Sequence, residues 1–215
     1  FDGFELQSFT SSTDTDVVFS YDADWGNTDS HFPYVYDYFS ETLRDRRSFN
    51  QEFRIVSDSA DFLQDSFIEW VVGANYLELK ESNFKKDDGL YGDPTDPYGP
   101  YASASSSSSR YKSSNISVFG NLDYLLSASL KFSIGLRVED WEANYSDSLK
   151  ESFNPSDKMS GGKISLIKNM TNDTNMYASL AKGYKQGGFN LGLGLDTNST
   201  NKNLAYDPEF LTNYE

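Results

Sequence analysis

The stretch from Asp24 to Phe39 places one histidine among six aromatic residues. Rigid aromatic rings offer a large contact area at a low cost in conformational entropy, so this stretch is suited to binding a cyclic or catecholate-like ligand. The alternative is that the rings only pack the connection against its neighbours. His31 is the only histidine in the chain, so a histidine-based metal site is disfavoured. The candidate ligand-binding residues of this stretch are Trp25, His31, Phe32, Tyr34, Tyr36 and Tyr38.

A second candidate stretch, Asp87 to Tyr101, is rich in acidic and aromatic residues. Carboxylates are hard oxygen ligands, so calcium binding is conceivable, but the ordered spacing of an EF-hand is absent. The alternative is an acidic, solvated loop followed by a flexible serine-rich run, Ser103 to Ser109. The calcium candidates are Asp87, Asp88, Asp93 and Asp96, and Tyr91 and Tyr98 join the ligand-binding candidates.

No set of residues in the sequence predicts catalysis. The chain has no cysteine and a single histidine, which excludes thiol chemistry and leaves only His31 for a serine triad. No serine lies in a Gly-x-Ser-x-Gly turn. The glycines of 183–189 lack the Gly-Lys-Ser/Thr ending of a phosphate-binding loop. Paired carboxylates, as a glycosidase needs, are present but not distinctive. We therefore predict that the protein is not an enzyme and uses no cofactor.

Composition narrows the class of protein further. The chain has 215 residues, 18 Lys and Arg against 33 Asp and Glu, a net charge of −15 and a pI near 4.4. This acidity argues against nucleic acid as a partner, because phosphates could not be neutralised in bulk. The mean hydropathy is −0.61, and no apolar run approaches the ~18 residues of a transmembrane helix. The aromatic content of 16% is too high for a disordered chain, so the chain must fold.

Apolar and polar residues alternate with a period of two along most of the chain, which predicts β-strands. Between Ser129 and Trp141, for example, Leu136 and Val138 fall on one face and Arg137 and Glu139 on the other. The pattern predicts eight strands and a truncated ninth near the C-terminus. The eight are Phe4–Thr13, Thr15–Ala23, Arg47–Ser57, Asp65–Lys80, Ser114–Tyr124, Ser129–Trp141, Lys158–Asn169 and Thr174–Gln186.

Short and long connections alternate between these strands. Short polar turns are predicted at 58–64, 125–128 and 170–173, and long connections at 24–45, 81–112, 145–157 and 187–207. Strands of about 9–11 residues with short turns at one end and long loops at the other are typical of outer-membrane β-barrels. Such barrels carry aromatic girdles at the membrane interfaces. The girdle candidates are Tyr76, Tyr124, Trp141, Tyr145 and Tyr177.

Six segments, in this order, resemble consecutive barrel strands of the TonB-dependent outer-membrane receptors. The resemblance covers most of residues 46–215 and favours the iron-complex receptor type. The segments are Arg46–Ser57, Trp70–Tyr76, Ser117–Tyr124, Phe132–Val138, Tyr177–Asn190 and Pro208–Glu215.

The resemblance implies an all-β fold, an antiparallel transmembrane barrel of about 22 strands closed by a plug domain. Residues 1–215 would then be a partial barrel domain, about 8–9 strands of its middle portion, without the plug and the C-terminal strands. The implied partners are outer-membrane lipid, the protein's own plug, the TonB complex and a scarce ligand such as a ferric siderophore, in a Gram-negative outer membrane. It also implies that Lys182, Tyr184 and Gln186 point inward along the ligand path.

Two other classes of protein remain open from the residues alone. One is a non-energised porin or small barrel, since eight strands can close by themselves. The other is a secreted β-sandwich that binds or cleaves glycans.

Overall fold

The computed structural model describes residues 3–27, 29–57, 68–149, 152–189 and 205–215, which contain strands and no helix. No helix long and apolar enough to cross a membrane occurs in this described part of the chain. The strands are β1 Phe4–Asp22, β2 Val35–Ser57, β3 Ile68–Gly92, β4 Tyr101–Ser127, β5 Leu130–Asp147, β6 Ser152–Phe153, β7 Ser156–Thr171, β8 Thr174–Lys185, β9 Gly188–Phe189, β10 Ala205–Tyr206 and β11 Glu209–Tyr214.

One antiparallel sheet of nine strands contains almost all of this structure, in the order β1-β2-β3-β4-β5-β7-β8-β11, with β6 paired to β5. The remaining strands, β9 and β10, form a two-stranded sheet. Each main strand pairs with the next one along the chain, as in a meander. The predicted all-β antiparallel fold of about nine strands is therefore confirmed.

The predicted alternation divides this sheet into two faces of different character. On the face that we call the apolar face, Val118 pairs with Val138, and their side chains are 51% and 55% exposed. On the opposite, polar face, Ser117 pairs with Glu139, and both are buried. An exposed apolar face opposite a covered polar face matches a strand that meets lipid on one side only.

The central strands are much longer than the sequence pattern predicts. Strands β2, β3 and β4 contain 23, 25 and 27 residues, whereas a membrane-crossing strand needs about 9–11. The predicted loops 24–45 and 81–112 are therefore wrong, and the connections shrink to residues 23–34 and 93–100. The prediction of a flexible serine run is also wrong, because Ser103 pairs with Gly89 and Ser109 with Asn83. Backbone hydrogen bonds can continue a hairpin where neither face is apolar. The hydropathy pattern therefore does not mark where its strands end.

The predicted opening pair of strands is in fact the single strand β1. Its register runs unbroken from Phe4 opposite Ser57 to Asp22 opposite Phe39. Asp14, which separates the two predicted strands, lies opposite Arg47 and forms an ion pair with it at 3.3 Å. The cross-strand partner therefore stabilises an extended conformation at this acidic residue.

The described connections differ in length at the two ends of the sheet. At the turn end, β4 joins β5 and β7 joins β8 through two residues each, close to the predicted turns. At the loop end lie the connections β1–β2, β3–β4 and β5–β7. The predicted turn at 58–64 falls outside the described residues, as does most of the predicted loop 187–207.

The best-buried apolar side chains lie on the polar face, where Trp141, Ala143 and Met159 form a small core. Trp141 is completely buried, and its Nε1 donates a hydrogen bond to Ser113 Oγ at 3.3 Å. Trp141 and Tyr145 are therefore not girdle residues, because they share the face of Glu139. Tyr177 also falls on the polar face, opposite Ile167. Tyr76 and Tyr124 lie on the apolar face, where a girdle requires them, opposite Ile116 and Phe132.

Candidate functional site

Four of the predicted ligand-binding residues meet on the polar face at the loop end, and we call them the aromatic cluster: Tyr36, Tyr38, Tyr91 and His31. Tyr36 and Tyr38 share a face of β2 because they are two residues apart, and Tyr91 lies directly opposite Tyr36. The ring centroids of Tyr36 lie 4.9 Å from Tyr38, 6.1 Å from Tyr91 and 4.8 Å from His31. Tyr36 and Tyr91 are 40% and 54% exposed, so part of the aromatic cluster is accessible to a ligand.

A glycine makes the packing of this cluster possible. Gly89 lies opposite Tyr38 in the β2–β3 register. A Cβ atom at Gly89 would lie 2.3 Å from the Tyr38 ring, far inside van der Waals contact. The Tyr38 ring therefore occupies the space that a side chain at position 89 would fill.

Four other predicted residues lie apart from the aromatic cluster, and one of them, Phe32, is 82% exposed. Trp25 is 91% exposed and has a positive φ of 61° in the β1–β2 connection. Tyr34 is also exposed, and Tyr98 is 84% exposed in the β3–β4 turn. The sequence correctly identified this end of the molecule as aromatic, but only part of its aromatic residues are assembled.

Next to the aromatic cluster, the polar face of β2 and β3 carries a charged network of Arg44, Arg46, Glu81, Lys85 and Asp87. Glu81 forms ion pairs with Arg46 at 2.5 Å and with Arg44 at 3.6 Å, and its side chain is only 10% exposed. Burial alone would raise the pKa of Glu81, but its hydrogen bonds from Asn83 and Arg46 outweigh burial and hold the pKa below its ordinary value.

Asp87 closes this network on the side of the aromatic cluster. It accepts a hydrogen bond of 2.6 Å from the hydroxyl of the buried Ser40 and forms an ion pair with Lys85 at 3.0 Å. These bonds outweigh the effect of burial and lower the pKa of Asp87. The three cations and two carboxylates give the network a net charge of +1. Because Arg44 and Arg46 remain about half exposed, they can donate hydrogen bonds to an anionic ligand.

Farther toward the turn end, a second group of polar side chains is buried on the same face. Glu139 accepts hydrogen bonds from Arg137 at 2.9 Å, Asn115 at 2.7 Å and the Tyr184 hydroxyl at 3.2 Å. Asn115 also donates to Gln186 at 3.2 Å. This buried polar cluster joins the end of β8 to the wall formed by β4 and β5.

An aromatic contact continues this attachment beyond β8. Phe189 in β9 stacks on Tyr145 with a centroid distance of 5.5 Å. It also contacts Phe153 and Tyr111 at 5.7 and 6.0 Å. Burial raises the pKa of the Tyr111 hydroxyl. The segment 184–189 therefore crosses the polar face and covers the buried core below it.

The three residues expected to point inward, Lys182, Tyr184 and Gln186, lie at the end of β8 and just beyond it, and the structure brings two of them together. Tyr184 and Gln186 contact the buried polar cluster. Lys182 instead pairs with Gly162 of β7. The pair two residues away, Leu180 and Ile164, lies on the apolar face, so Lys182 lies on that face too. Its ammonium group lies 5.1 Å from the ring centroid of Phe210. Lys182 thus lies apart from Tyr184 and Gln186, because β8 leaves β7 after this pair and only the residues beyond it contact the polar face.

The calcium candidates are separated rather than assembled. Asp87 and Asp88 are consecutive in β3 and so point to opposite faces, where each pairs with a lysine. Asp93 and Asp96 accept hydrogen bonds from the turn residues Thr95 and Tyr98. In the described residues, the carboxylates close enough to share an ion are those of Asp14, Asp16 and Asp45 on the apolar face.

Sequence reasoning missed the charged network and Glu139 as functional candidates. Arg44 fell inside the predicted loop 24–45 and Arg46 lay just before the predicted strand Arg47–Ser57, so their common face was hidden. Glu139 was correctly placed on the polar face of its strand, but alternation alone gives no sign of its partners on β4 and β8. The signal that could have identified it was its position in the hairpin, opposite Ser117 and diagonal to Asn115.

Comparisons with known proteins agree with the fold. A family model described as TonB dependent receptor-like, beta-barrel, matches residues 2–215. Among solved structures, the chain is similar to the ferric yersiniabactin uptake receptor FyuA from Yersinia pestis, with 18% sequence identity and a TM-score of 0.54. The match covers 97% of this chain and 33% of that receptor, so the chain spans about a third of its length. At this identity the likeness concerns the fold. No curated protein matches the sequence.

Proposed function

Because the chain belongs to the TonB dependent receptor-like β-barrel family, we propose that it forms part of the wall of a receptor in the outer membrane of a Gram-negative bacterium. Residues 1–215 are then a portion of one larger barrel domain, whose plug lies elsewhere in the protein. The match to only 33% of FyuA supports this assignment. The apolar face contacts lipid, the polar face lines the lumen, and the loop end is extracellular.

The ligand of this receptor is a scarce iron chelate of the ferric siderophore class. The observation that carries this proposal is the aromatic cluster beside the charged network, on the polar face at the loop end. Rings of Tyr36 and Tyr91 supply contact area for a planar or cyclic chelate. Arg44 and Arg46 supply donors for its anionic oxygens. The structural neighbour is itself an uptake receptor for a ferric chelate, ferric yersiniabactin.

Uptake draws its energy from the TonB complex through the plug. The 215 residues of this chain contribute to capture of the ferric chelate. Growth under iron starvation tests this function. Cells that carry the gene should grow on at least one ferric siderophore that does not support cells lacking it. The advantage should disappear when TonB is deleted. Equal growth with and without the gene on every siderophore would refute iron uptake, and growth independent of TonB would refute the energy coupling.

Variants connect the growth phenotype to the site. A Tyr36→Ala/Tyr91→Ala double variant should bind the transported chelate about 10–100-fold more weakly, since two ring contacts are lost at about 1 kcal/mol or more each. Tyr98→Ala is the matched control, because Tyr98 is 84% exposed and lies outside the cluster. Equal binding by the double variant and the control would show that the aromatic cluster is not the site.

A further inference from the structure

Three apolar side chains lie side by side near the loop end, on the register of the apolar face, and we call them the apolar row: Val18, Leu43 and Phe84. Val18 pairs with Leu43, and Leu43 pairs with Phe84, so the row crosses β1, β2 and β3. Leu43 and Phe84 are 42% and 43% exposed, and Val18 is more exposed still. The row faces away from the lumen and is therefore separate from the candidate ligand site.

The apolar row lies beyond the hydrocarbon of the membrane. Phe84 follows the girdle candidate Tyr76 by eight residues of β3, or about 26 Å along the strand at ~3.3 Å per residue. The charged side chains of Glu78 and Lys80 lie between them on the same face. Acyl chains therefore do not cover the row. Contiguous apolar side chains that are exposed and surrounded by polar residues mark surfaces of protein–protein contact.

Side chains of opposite charge flank the apolar row on its loop-end side. Glu41 of β2 lies opposite Lys86 of β3. The Lys86 ammonium forms an ion pair with Asp88 at 2.5 Å, whereas Glu41 forms no ion pair within the part of the chain that the structure describes. On the membrane side of the row, Asp45 of β2 lies opposite the neutral Ser82 of β3. Beside the row, β2 therefore presents acid where β3 presents base or a hydroxyl.

The membrane restricts how two copies of such a receptor can meet. Both copies cross the membrane in the same direction, so a twofold axis that relates them runs along the membrane normal. Equivalent residues then lie at equal heights, and the apolar row of one copy can face that of the other. An axis that passes between β2 and β3 exchanges these two strands across the contact. Leu43 then meets Phe84 of the second copy, Glu41 meets its Lys86, and no like charges face each other beside the row.

We propose that the apolar row and its flanking charges form a contact between two copies of this receptor. Glu41 and Lys86 favour a second copy over an unrelated partner, because they complement each other across the twofold axis. The surface covers about 20 by 15 Å, or roughly 300 Å² on each copy, against ~800 Å² in a stable interface. The dimer is therefore weak, and confinement of both copies to one membrane in one orientation raises their effective concentration. The proposal rests on the proposed outer-membrane location, but not on which ligand is transported.

Disulfide crosslinking of the whole receptor in isolated outer membranes tests the contact, with copper phenanthroline as the oxidant. The 215 residues contain no cysteine, and the receptor without an introduced cysteine defines the background. Leu43→Cys places a thiol beside the twofold axis and should give a disulfide-linked dimer. The matched control is Ser146→Cys, because Ser146 is exposed on the same face but lies three strands away on β5. Its dimer yield should stay at the background.

Charge reversals distinguish the proposed pairing from accidental collisions. In the Leu43→Cys receptor, Glu41→Lys sets like charges against each other at two symmetric places and should lower the dimer yield about tenfold. Lys86→Glu should lower it by a similar factor. The combined Glu41→Lys/Lys86→Glu variant exchanges the two charges, so it should restore the yield.

Heat-modifiable migration on gels establishes that each variant is folded. Equal dimer yields from Leu43→Cys and Ser146→Cys would overturn the proposal, and so would a combined reversal that fails to restore the yield. A crosslink from Leu43→Cys to a different protein, without a dimer of the receptor, would overturn it in favour of that partner. A receptor that fails the growth test but passes this one refutes the transported ligand alone, and the reverse result refutes the dimer alone.

Discussion

Replacement of Glu139 by glutamine should destabilise the barrel more than its small change in size suggests. The carboxylate is 9% exposed and accepts hydrogen bonds from Arg137, Asn115 and Tyr184. An amide of the same shape keeps one acceptor but removes the charge that neutralises Arg137. Breaking a buried ion pair by changing one partner costs about 3–5 kcal/mol. Because the Arg137 side chain is 39% exposed, water recovers part of that loss, and we expect about 2–3 kcal/mol.

The assay is urea unfolding of the protein in detergent micelles, followed by tryptophan fluorescence. Glu142→Gln is the matched control, because Glu142 lies on the opposite face, is exposed, and bonds only to Ser114 among the described residues. Its effect should stay within ~0.5 kcal/mol. A double-mutant cycle with Arg137→Gln should give a coupling energy of about 1–2 kcal/mol. A Glu139→Gln variant as stable as Glu142→Gln, with no coupling to Arg137, would refute the buried pair.

Three further changes test other parts of the polar face. Gly89→Ala should displace the Tyr38 ring and weaken ligand binding about tenfold without unfolding the barrel, whereas Gly183→Ala, with open space at its Cβ, should leave the measured affinity unchanged. The pKa of Glu81 is lowered from 4.5, so its charged form stabilises the fold above that pH, and the stabilisation is lost as the pH falls through the folded pKa. Below pH 4.5 the thermal midpoint of the native protein should therefore fall more than that of Glu81→Gln. Parallel plots of thermal midpoint against pH for the two proteins would contradict this. Phe189→Ala should increase hydrogen exchange around Tyr145 and Phe153 through loss of its ring contacts, an increase that the control Phe39→Ala should not produce.

The sequence was sufficient to predict the part of the fold in which the environment differs between the two faces of a strand. Leu136 and Val138 alternate with Arg137 and Glu139, as expected for a strand that meets lipid on one face only. Beyond the membrane both faces meet water, so this contrast vanishes. Strand ends in β2, β3 and β4 were therefore misplaced by up to about a dozen residues.

The candidate site was predicted in composition more than in geometry. Tyr36 and Tyr38 share a face by their spacing, but their contact with Tyr91 depends on the register of β2 against β3. The sequence does not encode that register locally. Trp141 is a second example. Its position near a strand end suggested an interfacial girdle, but its odd position along the strand, shared with Glu139, placed it on the polar face. The alternation of side chains between the two faces predicted the location of Trp141 better, since it follows from strand geometry alone.

The central claim is that the apolar face of this sheet contacts lipid and the polar face does not. The 215 residues contain no cysteine, so single cysteines can be introduced in turn at positions 136, 137, 138 and 139 of β5 and labelled with a fluorophore in lipid vesicles. Brominated lipid should quench the labels at 136 and 138 strongly and those at 137 and 139 weakly. Uniform quenching, or strong quenching at 137 and 139 instead, would contradict the account.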